Sequence, residues 1–147
     1  MLGTVRSLSV KLKKGTKSTF RDSVQITPYG LDGDYHTGHS RRRQILLLSS
    51  SLLDEFDLKP GDLHENVVID GIDVMLLREG QSLRLGDALV EVTLPCEACT
   101  HMDRVRPGLQ DQLKDRRGMF VRVIEPGIVR VGDKICEEPA PQNSFNF

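Results

Sequence analysis

The sequence has few aromatic residues: no tryptophan, two tyrosines and five phenylalanines in 147 positions. So few aromatic side chains argue against the base-stacking surfaces that bind single-stranded nucleic acid. An excess of either charge is also missing, because 20 Lys and Arg residues stand against 21 Asp and Glu residues, for a formal net charge of -1. We therefore expect neither a nucleic-acid partner nor a membrane-surface partner.

Long apolar runs are absent as well. The longest strong run, residues 45–48, is far shorter than the roughly 20 residues that a membrane-spanning helix needs. The first ten residues contain Arg6 and lack the continuous apolar stretch that a signal peptide needs. We therefore expect a cytoplasmic location. The three cysteines, Cys96, Cys99 and Cys136, are too few and odd in number for a disulfide scaffold.

Short apolar segments separated by glycine turns are abundant. Strands are predicted at residues 2–10, 24–27, 43–49, 63–69, 74–77, 82–94, 119–124, 128–131 and 135–136, with a hairpin turn at Gly86-Asp87. Short helices are predicted at residues 51–56, 100–105 and 109–113. This pattern favours a mainly β protein, a closed or partly closed β-barrel with a few short helices. We expect one domain over residues 1–137 and a loose tail over residues 138–147.

The strongest chemical signal is a C-x-x-C pair, Cys96 and Cys99, directly after a predicted strand that ends at Pro95. Thr100 and Asp103 match a capping box, which places Cys99 just before a helix start. Unpaired amides and the helix dipole at such a position favour a thiolate. A thiolate can act as a nucleophile, a persulfide carrier or a soft-metal ligand.

Two alternatives for this pair remain open. The two thiols can simply be buried, as free cysteines often are. They can also be half of a zinc site, completed by Cys136 and one of the four histidines, His36, His39, His64 and His101. Because the sequence has no second paired ligand motif, we favour a single reactive cysteine.

Two basic segments are candidate anion sites. A loop rich in Gly and Asp, residues 30–39, precedes Arg41, Arg42 and Arg43, and Arg116-Arg117 lies further along the chain. Glycines allow close approach of a ligand, loop amides can form an anion nest, and arginines bind phosphate through paired hydrogen bonds. The alternative is a surface turn with solvated charges, which composition alone favours.

Taken in order, these segments resemble the MOSC family, named for the C-terminal domain of molybdenum cofactor sulfurase. The matching pieces are the G-L-x-G-D-x-H-x-G loop at residues 30–38, R-Q and an apolar strand at 43–47, Glu65-Asn66 of a G-E-N segment, the R-x-G turn at 84–86, Thr-x-Pro at 93–95, G-L-x-x-x-L at 108–113, and V-G-D-x-I at 131–135. His64 replaces the glycine of G-E-N, which leaves the backbone turn at that point open. The ordered match spans about residues 3–136.

The resemblance implies a closed β-barrel with chemistry at one cysteine. Family spacing indicates Cys99 as the functional thiol and the metal ligand, with Cys96 as a second, cooperating thiol. The implied pocket is lined by Cys99 and by residues that face a pterin phosphate or another anion: Thr93, Asn66, His36, Arg42, Arg43, Arg116 and Arg117. The implied cofactor is a molybdenum-pterin cofactor, and the family is also associated with pyridoxal phosphate binding.

Three functions stay open at this stage. The first is a molybdenum-dependent reductase of N-hydroxylated compounds that receives electrons from redox partner proteins. The second is a sulfur carrier that holds a cysteine persulfide, with a sulfur donor protein and cofactor-dependent enzymes as partners. The third is a non-catalytic β-barrel module that binds zinc or an anion.

Overall fold

The computed structural model describes residues 2–139. Across them the strands are β1 Gly3–Val10, β2 Thr19–Arg21, β3 Ser23–Thr27, β4 Gly30–Leu31, β5 Ile45–Ser49, β6 Val67–Asp70, β7 Ser82–Leu85, β8 Ala88–Pro95, β9 Met119–Glu125, β10 Gly127–Arg130 and β11 Lys134–Glu137. The α-helices are α1 Ser50–Glu55, α2 His101–Val105 and α3 Leu109–Gln112. No helix within residues 2–139 is long and apolar enough to cross a membrane.

Seven strands form a closed barrel in the order β11-β7-β8-β9-β5-β6-β1, and β1 pairs back onto β11. The closing pairs are Gly3 with Ile135 and Thr4 with Lys134. Neighbouring strands of the ring are antiparallel except β5 and β6, which run parallel. The strand β2 extends the sheet beside β1, and β10, β3 and β4 form a small second sheet. The prediction of a closed β-barrel with a few short helices is confirmed.

Burial patterns explain how the barrel fills. In β9 alternate residues point inward, as expected for a strand with one buried face. All five residues of β5 are buried, because its outer face lies under an outer cluster of apolar side chains from the helices and the turns around them. The members of this outer cluster are Leu48, Leu52, Leu53, Leu58, Leu63, Val68, Met102, Leu109 and Leu113.

Some local predictions are wrong. Residues 74–77 were expected to be a strand, but Val74–Leu76 forms a 3-10 helix, in which the Asp73 carboxylate accepts a hydrogen bond from the Met75 amide at 2.9 Å. An Asp side chain that bonds the backbone two residues on favours a turn over a strand. The strand expected at 63–69 begins only at Val67, and the strands β2 and β4 were not predicted.

Most of the predicted tail, residues 140–147, lies outside the described residues. Its first residue is fixed, because both Glu138 carboxylate oxygens accept hydrogen bonds from the Arg84 guanidinium, at 2.6 and 3.0 Å. The amide of Glu138 also donates to the Ser82 carbonyl at 3.0 Å. Ordered structure therefore reaches at least one residue beyond the predicted domain end at 137.

Candidate functional site

An open cleft of about 1010 Å³ lies against one side of the barrel. Its lining comes from residues within the segments 11–20, 35–46, 60–66 and 96–105, and from Arg117 and Phe120. These segments are mostly loops between strands, where functional side chains usually lie on a rigid scaffold. The cleft joins both basic loops to the C-x-x-C segment.

Both cysteines of the C-x-x-C pair are half-buried and line this cleft. The Cys96 amide donates to the Gly118 carbonyl at 2.9 Å, and the Cys99 carbonyl accepts from the Met102 amide at 3.0 Å. Cys99 also packs against the outer cluster. The third thiol, Cys136, lies in β11 opposite Arg84 and is not part of the cleft lining.

The charges around Cys96 act in opposite directions. Burial raises the pKa of the Cys96 thiol, and the neighbouring thiol of Cys99 acts in the same direction. The positive charges of Arg117 and Arg43 lower that pKa, and burial has the larger effect. Cys96 therefore stays protonated to a higher pH than an ordinary thiol.

The capping box predicted at Thr100 is wrong. Thr100 is the N-cap position of α2, but its backbone is already helical and its side chain makes no capping hydrogen bond. The Asp103 carboxylate instead accepts from the Gln110 amide at 3.0 Å. The C-terminal end of α2 is held in place by the Arg106 side chain, which donates to the Phe56 carbonyl at 2.5 Å. Because α2 has five residues, the argument from a helix start no longer favours Cys99.

Among the residues of the site, Arg117 has the most buried hydrogen-bond donors without a partner within residues 2–139. It is 4% exposed, and its Nη2 donates to the Leu63 carbonyl. Its Nε and Nη1 are buried and have no hydrogen-bond partner among residues 2–139. A buried guanidinium with free donors is costly unless an anion or another acceptor pairs with them. Because Arg117 lines the cleft, the cleft is the place where such an acceptor can bind.

Gly118 explains why Arg117 is held inward. Its φ is +154°, and a Cβ atom there would lie 2.7 Å from the Leu47 carbonyl oxygen. Only glycine allows this close approach of the backbone to β5. The approach draws the Arg117 backbone against the barrel and leaves the preceding residue outside.

The cleft lining is strongly basic although the whole chain is nearly neutral. Of the described residues that line it, one is acidic, Asp62, whereas six are lysines or arginines and four are histidines: Lys11, Lys14, Lys17, Arg43, Arg104, Arg117, His36, His39, His64 and His101. A cleft lined by charges of one sign concentrates ligands of the opposite sign. The arrangement therefore favours an anionic ligand.

His64 is the residue that replaces the glycine of the G-E-N segment. Its φ is +59°, the left-handed conformation that glycine adopts most easily, so the turn is kept despite the substitution. Burial in the cleft wall, and after it the positive charges of Lys11 and Arg117, together lower the pKa of His64 to about 4. The ring of His64 lies 6.0 Å from that of His101. At neutral pH His64 is therefore uncharged.

Six of the nine predicted site residues line the cleft: Cys96, Cys99, His36, Arg43, Asn66 and Arg117. Asn66 uses its side chain within the wall, where Oδ1 accepts from the Leu46 amide at 2.9 Å and Nδ2 donates to the Ser9 carbonyl at 3.4 Å. It positions the wall and offers little to a ligand.

The other three predicted residues lie elsewhere. Arg42 donates to Glu79 at 2.9 Å. Thr93 is buried, and its hydroxyl bonds the backbone carbonyls of Arg42 and Phe120, the latter at 3.1 Å. Arg116 pairs with Glu55 at 2.8 Å and does not line the cleft. We assign structural roles to these three.

The glycine-rich loop is fixed by its own carboxylate. Asp34 is buried, and its side chain accepts from the amides of Lys11 at 2.8 Å and His36 at 3.2 Å. Of the other amides of residues 32–39, all but that of Gly33 donate to backbone carbonyls, so the loop does not form the anion nest expected from the sequence. The loop contributes to the cleft through its side chains.

The lysines of residues 11–17 were missed by the sequence analysis. A signal was present, since four lysines and no acidic residue occur in that segment. The zinc alternative finds no support in the geometry: among the described residues, no three His, Cys, Asp or Glu side chains are grouped so as to hold a metal ion.

Comparisons with solved structures show the same fold. The YUAD protein of Bacillus subtilis is 22% identical, with a TM-score of 0.81 over 92% of this chain and 94% of that one. YiiM of Geobacillus stearothermophilus is 16% identical, with a TM-score of 0.73 over 94% of this chain and 74% of that one. YiiM of Escherichia coli is 18% identical, with a TM-score of 0.70 over 95% and 72%.

Comparison with curated proteins gives no match. The family model of the MOSC domain matches residues 32–136, a range that includes most of the barrel, both thiols of the C-x-x-C pair and Arg117. This chain therefore belongs to the MOSC domain family.

Proposed function

We propose that Cys99 carries sulfur as a persulfide and presents it to a phosphate-bearing molybdenum-pterin cofactor that binds in the basic cleft. One observation supports this most directly. The two thiols share the cleft with a buried arginine whose Nε and Nη1 have no partner among the described residues. The cofactor is here a substrate that receives sulfur.

The residues of the cleft suit such a ligand. A phosphate or pterin oxygen can accept the two free donors of Arg117, since a guanidinium binds oxyanions through paired hydrogen bonds. Arg43 and Lys11 would add charge from the opposite loops. The volume of about 1010 Å³ lies at the upper end of the roughly 300–1,000 Å³ typical of ligand pockets. When bound, such a cofactor would supply molybdenum as the acceptor of the sulfur.

The sulfur step at Cys99 is a thiol exchange. The Cys99 thiolate attacks the outer sulfur of a donor persulfide, a new S–S bond forms at Cys99 Sγ, and the donor leaves as a thiolate. No electrons enter or leave the pair of reactants. The basic lining stabilises the anionic persulfide that results, because positive charge favours the ionised form.

Mass spectrometry tests this assignment. After treatment with a low-molecular-weight persulfide and removal of the excess, we expect Cys96→Ser protein to gain the mass of one sulfur atom. Protein that carries both Cys96→Ser and Cys99→Ser should gain none, and Cys96→Ser with Cys136→Ser should load as the single variant does. Equal loading with and without Cys99 would refute the assignment.

A second candidate keeps the cofactor resident, with Cys99 as its metal ligand. The specific observation in its favour is that Cys99 packs on the apolar outer cluster while facing a cleft that can hold a whole cofactor. Such a protein would reduce N-hydroxylated compounds with electrons from redox partner proteins. Molybdenum and pterin at one equivalent per purified chain, lost in Cys99→Ser, would favour it over sulfur transfer.

A further inference from the structure

We propose that Cys96 is a second reacting group of this site, whose thiol displaces the sulfur carried by Cys99 and releases it as hydrosulfide into the cleft. This inference rests on the sulfur-carrying function proposed above. It assigns a role to a second thiol that sulfur carriage alone does not need.

The fold holds the two thiols together. Both belong to the short segment between β8 and α2, both are half-buried, and both line the cleft. The segment is fixed at each end, by the bond of the Cys96 amide to Gly118 and by that of the Met102 amide to Cys99. Two cysteines at this spacing can reach the geometry of a disulfide, as they do in C-x-x-C oxidoreductases.

The reaction balances without an external oxidant. Cys96 as a thiolate attacks Sγ of the Cys99 persulfide, the bond between Cys96 Sγ and Cys99 Sγ forms, and the bond between Cys99 Sγ and the outer sulfur breaks. The outer sulfur leaves with the bonding electrons as hydrosulfide and is thereby reduced. The two cysteines are oxidised to a disulfide, and the proton that Cys96 loses is taken up by the outer sulfur of the anionic persulfide, which therefore departs as hydrosulfide.

The surroundings of Cys96 support this role. Burial raises the pKa of the Cys96 thiol, and the positive charges of Arg117 and Arg43 oppose this effect at the place where the thiolate forms and hydrosulfide departs. Hydrosulfide is an anion, and the basic lining favours its retention until an acceptor in the cleft takes it up. A dithiol reductant then has to reduce the disulfide before another round.

Cys136 is the matched control within the same chain. It is half-buried like the other two, but it lies in β11 and outside the cleft lining. We therefore expect it not to reach the Cys99 persulfide in the folded barrel. A Cys136→Ser variant therefore removes one thiol without touching the reaction.

The experiment loads each protein with a low-molecular-weight persulfide, removes the excess, and measures hydrosulfide release, whole-protein mass and alkylatable thiols over time. We expect wild type and Cys136→Ser to release one hydrosulfide per chain and to form a Cys96–Cys99 disulfide. Cys96→Ser and Cys96→Ala should keep the persulfide, with release at least about tenfold slower, because the intramolecular attack is lost.

The outcomes separate the two proposals. Equal release by wild type and both Cys96 variants, or wild type that keeps its persulfide without a disulfide, overturns the role of Cys96 and leaves sulfur carriage by Cys99 intact. Failure of the Cys96 variants to take up sulfur at Cys99, with circular dichroism showing folded protein, overturns both.

Discussion

Replacing Arg117 with methionine should make the protein more stable while it loses its affinity for anions. Arg117 is 4% exposed, and within residues 2–139 its side chain makes one hydrogen bond, to the Leu63 carbonyl. Methionine is shorter but similar in volume, flexible enough to fill much of the same space, and uncharged. A buried charge retained at the expense of stability is typical of a functional site.

The magnitude follows from the bonds that Arg117 makes and lacks. Each of its two buried donors without a partner, Nε and Nη1, costs about 1–3 kcal/mol, and the substitution removes both. The charged hydrogen bond to Leu63 contributes about 1.5–3 kcal/mol and is lost. The substitution also removes the positive charge of Arg117 that lowers the pKa of the buried Glu65 carboxyl, and this loss offsets part of the gain. The net expectation is a gain of about 1–2 kcal/mol in the free energy of unfolding, or roughly 3–6 °C in Tm.

Urea unfolding and calorimetric titration with inorganic phosphate would measure the two effects. The control is Arg116→Met, at an exposed neighbour paired with Glu55, which should change stability by less than about 1 kcal/mol and leave phosphate binding unchanged. If Arg117→Met lowers the free energy of unfolding by more than about 2 kcal/mol, or binds phosphate as wild type does, the reasoning fails.

Two further predictions concern charge in the cleft. Arg43→Ala should weaken phosphate binding by about fivefold to tenfold in calorimetry, whereas Arg42→Ala, whose side chain bonds Glu79, should not; equal effects would contradict the assignment of Arg43 to the cleft. The pKa of His64 is about 4, so the free energy of unfolding should fall as the pH falls from about 6.5 to about 4, since the unfolded chain binds a proton that the folded state rejects. Bound phosphate should raise this pKa in an NMR titration; an unchanged pKa would show that no anion binds near His64.

Local signals in the sequence predicted much of the barrel. The hairpin at Gly86-Asp87 was predicted because a glycine turn between two alternating segments acts over neighbouring residues. The closure of β1 onto β11 joins residues 130 and 132 positions apart, and no local pattern specifies such a pairing. The 3-10 helix at Val74–Leu76 was missed because the apolar residues there suit either structure, and the Asp73 side chain decides between them.

The residue types of the site could be predicted from the sequence. Which of several neighbouring residues of one type faces the cleft was harder to predict. The thiols were found because C-x-x-C is itself a chemical signal. Arg116 and Arg117 are equivalent in the sequence, and the contact of Gly118 with β5 decides which one is buried. Whether these residues act on sulfur or molybdenum stays a prediction that the experiments above address.

The pairing of the first strand with the last one affects how the chain folds during its synthesis. A ribosome makes β1 long before β11, so β1 waits with one edge lacking its partner until residues 134–137 have left the exit tunnel. During that interval the exposed edge can pair with another nascent chain. Removing β11 by a stop codon before residue 134 should therefore yield aggregates and not a partly active barrel.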